Sequence, residues 1–109
     1  MFGFGKRAAH KEIGPLELQA MLAGGSACIV DVREPREFAG GHIPGAINLP
    51  LSRFKPATLP IAEGRTVILT CARGMRSAQA LRKCADTGVD THLAGGMAAW
   101  IRSGLPVEQ

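Results

Sequence analysis

Residues 66–88 read TVILTCARGMRSAQALRKCADTG. Val67, Ile68 and Leu69 make an apolar run after a turn at Gly64, so residues 66–70 predict a strand buried on both faces. Cys71 ends that strand. Apart from Met75, residues 71–76 are small or basic, with Gly74 among them, and no acid stands anywhere between 68 and 80. From Ser77 to Thr87 the spacing turns helical. Ala78, Leu81, Cys84 and Ala85 form an apolar face, and Gln79, Arg82, Lys83 and Asp86 a polar one. Ser77 suits the N-cap and Gly88 the C′ position. A buried strand, a short loop and a helix in direct succession are the repeating unit of a parallel sheet, because parallel strands need a crossover between them.

The same alternation extends both ways. "GPLELQAML" (14–22) places Leu16, Leu18, Met21 and Leu22 on one helical face, after Pro15 and before a Gly-Gly stop. "ACIVDV" (27–32) is a second continuous apolar run, ending in Asp31 and Arg33, as a strand buried on both faces would read. "EPREFAGG" (34–41) predicts a short helix stopped by Gly40 and Gly41, and residues 46–48 a short strand. "LSRF" (51–54) starts a helical turn that Pro56 and Pro60 keep short. "DTHLAGG" (90–96) gives a strand and turn, and "MAAWIRSG" (97–104) a last helix ended by Gly104 and Pro106. The pattern predicts one α/β domain with a parallel sheet covered on both sides. Residues 1–11 are expected to be a loose tail and 12–109 the domain.

A length of 109 residues suffices for one domain with a real core, and 46% hydrophobic against 20% charged residues excludes a disordered chain. No apolar run approaches the roughly 18 residues a membrane span needs. The start, "MFGFGKRAAHKE", has no long apolar region and no cleavage site, so a cytoplasmic protein is expected. The net charge is +4, but half of it lies in the first twelve residues and aromatics are few, which argues against a nucleic-acid face. A small anion remains as the charged partner. Cys28, Cys71 and Cys84 show neither CxxC nor Cys/His spacing, so free thiols, no metal and no cofactor are expected.

Ligands of open parallel sheets bind beyond the carboxyl ends of the strands, and Cys71 stands at such an end. Gly74 lets the loop curl so that backbone N–H groups turn inward as an anion nest. The following helix contributes the positive end of its dipole, and Arg73 and Arg76 contribute two full charges. All three favour a thiolate over a thiol. No histidine or acid lies close in sequence to move a proton. Such a cradle fits a persulfide, whose terminal sulfur carries the negative charge, and sulfur transfer needs little acid help when a stable anion leaves. Phosphatase loops hold phosphate with a C-x5-R ring. Here Arg76 makes it C-x4-R, too tight for a tetrahedral phosphate and adequate for sulfur.

Three segments, "CIVDVREPREFAGGHIPGAINLP", "ILTCARGMRSAQA" and "LAGGMAAWIRSGLPV", resemble in order and spacing the signature segments of the rhodanese, or thiosulfate sulfurtransferase, family. The resemblance spans residues 12–109. It implies a three-layer α/β fold with a central parallel five-stranded sheet flanked by helices. It also implies a ping-pong cycle in which thiosulfate, or a related persulfide or polysulfide, places a sulfur on a cysteine. An acceptor such as cyanide, a small thiol or a protein thiol then removes it. Carried over by motif, Cys71 is the nucleophile, and Ala72, Arg73, Gly74, Met75, Arg76 and Ser77 surround the substrate, with Arg73 and Arg76 as anion contacts. The sequence departs from thiosulfate-using relatives at Glu37, which precedes Phe38 where they carry a basic residue. A carboxylate facing the pocket there would repel thiosulfate.

The remaining polar residues read as structural. Asp31 is expected to bond loop backbone and Arg33 to pair with a carboxylate, supporting the site from below. His42, between Gly and Pro, fixes a turn. His10 falls in the tail, and His92 sits in a short strand without a metal partner. Cys28 and Cys84 lie on apolar faces. Gly95, Gly96 and Trp100 form a tight turn and a packing anchor that could back the active loop, and Met75 and Met97 could rim the pocket. Two other readings compete with the enzyme: a carrier or partner-binding module that receives sulfur from another protein, and a non-enzymatic interaction domain. An intact Cys71 argues against the last.

Overall fold

Val67 to Thr70 and Ala27 to Asp31 are buried throughout and lie side by side in register, Ala27 against Thr66 and Asp31 against Thr70. The computed structural model describes residues 10–109. Its elements are β1 (Lys11–Ile13), α1 (Pro15–Ala23), β2 (Ala27–Asp31), α2 (Pro35–Ala39), β3 (Ile47–Asn48), β4 (Thr66–Thr70), α3 (Met75–Arg82), β5 (Thr91–Leu93) and α4 (Gly96–Arg102). Short 3-10 turns at Leu51–Arg53 and Pro56–Thr58 join β3 to β4. The five strands form one sheet in the order β1-β5-β4-β2-β3, every pair parallel.

Strand alternation sends side chains into two apolar layers. Val30, Val67 and Leu69 pack with Ala80 and Leu81 of α3 and with Phe54, Leu59 and Cys84. Ala27, Ile29, Ile68 and Leu93 pack on the other face with Leu18 of α1 and Met97 and Trp100 of α4. Both faces are therefore covered, which explains why β2 and β4 are continuously apolar instead of alternating. The expected three-layer α/β architecture is what the chain adopts. Among the described residues no helix is long and apolar enough to cross a membrane.

Several elements differ from their sequence expectation. The fifth strand is β1, which takes Lys11 from the segment read as tail; residues 1–9 of that segment lie outside the described residues. It is an edge strand of three mostly exposed residues, too short to show a period. In α1, Leu16 is 66% exposed while Leu18 is fully buried. Two helical positions are about 200° apart, so Leu16 cannot share the stripe of Leu18, Met21 and Leu22. The helix after Cys71 starts at Met75, not Ser77, and ends at Arg82. Gly74, at φ 105°, is its N-cap, so Ser77 is not. Beyond Arg82 the bonds Cys84 N–H to Leu81 O and Thr87 N–H to Cys84 O tighten the chain into turns that end at Gly88, φ 84°. The buried stripe runs Ser77, Ala80, Leu81 and Cys84, while Ala85 is exposed. A serine faces inward because polar groups wait for it there.

Candidate active site

Cys71 follows β4 directly, and its side chain is enclosed, the residue being 1% exposed. The left-handed Gly74 turns the chain back over the sulfur. Two amides reach Cys71 Sγ, Gly74 N–H at 3.0 Å and Ser77 N–H at 3.2 Å. Both belong to the first turn of α3, where no intrahelical carbonyl is available to them. The sulfur thus occupies a place where the helix lacks acceptors.

The turn at Gly95 and Gly96 holds the loop from behind. The Cys71 carbonyl accepts Met97 N–H at 2.8 Å and the Ala72 carbonyl accepts Ala98 N–H at 3.0 Å. These bonds direct the carbonyls toward α4 and leave the amides of the loop facing the sulfur. The approach is so close that a Cβ on Gly96 would lie 2.4 Å from Cys71 O. Met97 itself is buried in the layer with Trp100, so it does not rim the loop, whereas Met75 stands 81% exposed at its edge.

The charges differ from the sequence reading. The guanidinium of Arg76 is engaged by a carboxylate: it forms a two-pronged pair with Glu37, Nη1 to Oε1 at 2.7 Å and Nη2 to Oε2 at 2.9 Å. Glu37 also accepts the Glu34 N–H at 3.0 Å, at the start of α2. The Arg76 bonds, partly opposed by burial and aided by the Glu34 amide, hold the Glu37 carboxyl down from 4.5 to about 2. Glu37 in turn raises Arg76. The folded carboxyl is depressed, so the pair's contribution is present above about pH 4.5 and is lost as pH falls toward 2. Arg73 is exposed and has no ion pair among the described residues, which leaves it as the free cation of the loop.

Asp31 and Arg33 form a buried brace. Arg33 Nε donates to both Asp31 oxygens at 3.0 and 3.1 Å, Nη2 donates to Oδ2 at 2.8 Å, and the Arg33 amide to Oδ1 at 3.0 Å. Arg33 Nη2 also reaches Gly41 O at 2.7 Å, and Asn48 Nδ2 donates to the carbonyls of Asp31 and Arg33. These bonds fix the chain that follows β2. His42 stacks on Phe38 and lies 2.8 Å from its carbonyl through Nδ1, as a turn-fixing residue does. Cys28 and Cys84 are free and buried, and burial pushes the Cys84 thiol up, partly offset by Thr87.

His92 is the residue that sequence reasoning set aside and the fold brings in. Its Nδ1 lies 2.7 Å from Ser77 Oγ, which is itself 3.4 Å from Cys71 Sγ. Its Nε2 lies 3.3 Å from a carboxylate oxygen of Glu12 on β1. The signal was in the strand pattern. His92 registers against Leu69, whose side chain faces α3, so His92 points to the same side.

Residues 14–103 match the rhodanese-like domain family. The chain belongs to that family. This rhodanese-like chain is 47% identical to an uncharacterized Synechocystis protein over 86% of its own length, and spans 54% of that relative. It is 38% identical to an Allochromatium vinosum protein named sulfurtransferase, covering 72% of this chain and 76% of the relative. A human thiosulfate:glutathione sulfurtransferase is 32% identical, covering 78% of this chain and 88% of the relative. Among solved structures, a rhodanese-related protein from Thermoplasma volcanium superposes with a TM-score of 0.78 at 31% identity, covering 91% of this chain and 98% of the other. The curated relatives matched thus include one about twice the length of the matched segment.

Proposed function

We propose that this rhodanese-like protein is a sulfurtransferase that carries a sulfane sulfur on Cys71. The observation that supports the reading most is the pair of first-turn amides on Cys71 Sγ, which is suited to stabilise a negative sulfur. Thiosulfate fits as donor. The Cys71 thiolate attacks its outer sulfur, the S–S bond breaks and its electron pair leaves with sulfite, giving Cys71–S–S⁻ and SO3²⁻. Cyanide or a thiolate then takes the outer sulfur and returns the Cys71 thiolate. The amides of Met75 and Arg76 are also first-turn donors without an intrahelical acceptor and suit the terminal sulfur of the persulfide. Three free cysteines agree with a reducing compartment such as the cytoplasm.

The test is loading with thiosulfate followed by intact-mass measurement. The wild-type protein should gain one sulfur atom and Cys71→Ser none, and an unchanged wild-type mass removes thiosulfate as the donor. A carrier reading has its own support: Glu37 neutralises Arg76, and Arg73 and Met75 stand exposed at the loop edge, open to a protein surface. On that reading the mass gain comes from a persulfidated protein donor and not from thiosulfate.

Glu37 also sets an expectation for the donor. Glu37→Gln frees the Arg76 guanidinium and should lower KM for thiosulfate about 2–5-fold with little change in kcat, the size of a partly exposed ion pair. Arg76→Ala, which leaves Glu37 uncompensated beside the loop, should raise KM. Equal KM values in all three proteins would show that the donor does not meet this pair.

A further inference from the structure

Cys71 Sγ, Ser77 Oγ, His92 and Glu12 form one line from the enclosed sulfur to the protein surface, at 3.4, 2.7 and 3.3 Å. The first three residues are buried, at 1%, 0% and 4% exposure, while the Glu12 side chain is 60% exposed. A buried imidazole hydrogen-bonded at one nitrogen toward the nucleophile, with the other within ion-pair distance of a carboxylate, is what a nucleophile needs from a base and the group that orients it. The arrangement here differs in that a hydroxyl stands between thiol and imidazole.

The hydrogen-bond roles follow from the chain's ends. Glu12 is an acceptor when ionised, so Nε2 carries a proton. In the neutral state Nδ1 then accepts the Ser77 O–H, and the Ser77 oxygen accepts the Cys71 S–H. The same heavy atoms satisfy a second state. The S–H bond breaks with its electron pair left on sulfur, its proton goes to Ser77 Oγ, and the Ser77 proton passes to His92 Nδ1. The net change is Cys71–SH and neutral His92 to a Cys71 thiolate and a His92 imidazolium. In this second state Nδ1–H donates to Ser77 and Ser77 stands between the two charges. The thiolate also keeps its two amide donors, and the imidazolium keeps Glu12.

We propose that His92 is the proton acceptor of this site, taking through Ser77 the proton that leaves Cys71 and holding it as the counter-charge of the sulfur anion. It acts through Ser77 and is therefore a positioning residue. Sulfur transfer moves no net charge onto or off the cysteine between thiolate and persulfide, so His92 keeps its proton through the whole cycle. The ionisable groups facing the imidazole are Glu12 on β1, His10 just before it, and Cys71 across Ser77. Burial lowers His92, while Glu12 opposes that by charge and hydrogen bond and His10 adds to it. Across Ser77 the imidazolium faces the sulfur anion, an opposite charge on the side away from Glu12. This role rests on Cys71 being the sulfur-accepting nucleophile, but its test uses no sulfur donor.

The experiment compares imidazole nitrogen resonances of ¹⁵N-labelled wild-type protein and Cys71→Ser across pH. His92 should be an imidazolium near neutral pH in the wild type and a neutral Nε2–H tautomer in the variant. In parallel, ultraviolet thiolate absorbance is read for wild type and His92→Asn, with Cys71→Ser as baseline. The asparagine still offers Ser77 a hydrogen-bond acceptor but cannot take the proton, so a merely structural His92 would leave the absorbance profile unmoved. The thiolate-to-thiol ratio should fall about tenfold at a given pH, as expected for losing an opposite charge within a few ångströms. A His92 that titrates identically in wild type and Cys71→Ser overturns the proposal, and this comparison needs no His92 variant to fold. An unchanged thiolate ratio in a folded His92→Asn overturns it equally. Failure to load sulfur from thiosulfate, by contrast, touches the donor reading alone.

Discussion

Gly96→Ala is expected to destabilise the protein by about 2–5 kcal/mol and to abolish sulfur loading, because two penalties fall on one residue. Gly96 has φ 58°, a left-handed conformation that costs an L-residue about 1–2 kcal/mol. The added Cβ would also lie 2.4 Å from Cys71 O and 2.8 Å from Ala72 C and O. These are backbone atoms of the loop itself and cannot swing aside as a flexible side chain would. To make room, the carbonyls of Cys71 and Ala72 must leave Met97 N–H and Ala98 N–H, and the loop that aims Gly74 and Ser77 N–H at the sulfur rotates with them. Gly45→Ala is the control: its φ is 85° but nothing lies within 4 Å of the new Cβ, so only the conformational penalty should appear. Denaturant midpoints and mass gain on thiosulfate loading measure both effects. A Gly96→Ala protein as stable as Gly45→Ala, with full loading, would show that the turn does not shape the loop.

Arg33→Ala is the second large effect, expected to cost about 3–5 kcal/mol, the usual result of removing one partner of a buried ion pair. Asp31 is fully buried, and three of the four hydrogen bonds its carboxylate accepts come from the Arg33 side chain. Without them a charge remains in the core with the Arg33 amide alone, and Gly41 O loses its donor as well. The melting temperature should fall by about 12 °C or more for a domain of this size. Replacing both partners by neutral residues, Asp31→Asn with Arg33→Met, should cost less than Arg33→Ala alone, since the uncompensated charge is then gone. A double variant less stable than the single one would contradict this account.

Much of the molecule was legible in one dimension. Continuous apolar runs at 27–32 and 66–70 announced strands buried on both faces, and the loop between strand and helix marked Cys71 and Gly74. The limits were equally physical. Lys11–Ile13 pairs at the sheet edge with one face open, so nothing in its three residues marks a strand until β5 lies beside it. Arg76 looked like a charge for an anion, because its partner Glu37 is far away in sequence and meets it only once α2 and α3 pack. Ser77 looked like a cap, because the left-handed Gly74 that starts the helix earlier is a matter of backbone conformation.

By itself, the sequence determined the alternating parallel architecture, the family and the position of the cysteine, since each is written in local spacing and motif. Only the tertiary structure decided which charges face that cysteine. Parallel strands bring together residues that are remote along the chain. Thus Glu12, His92 and Ser77 line up behind Cys71, Glu37 pairs with Arg76, and Gly96 presses the loop into shape. Charge and hydrogen bonding depend on distance in space, and those distances exist only after the sheet has formed.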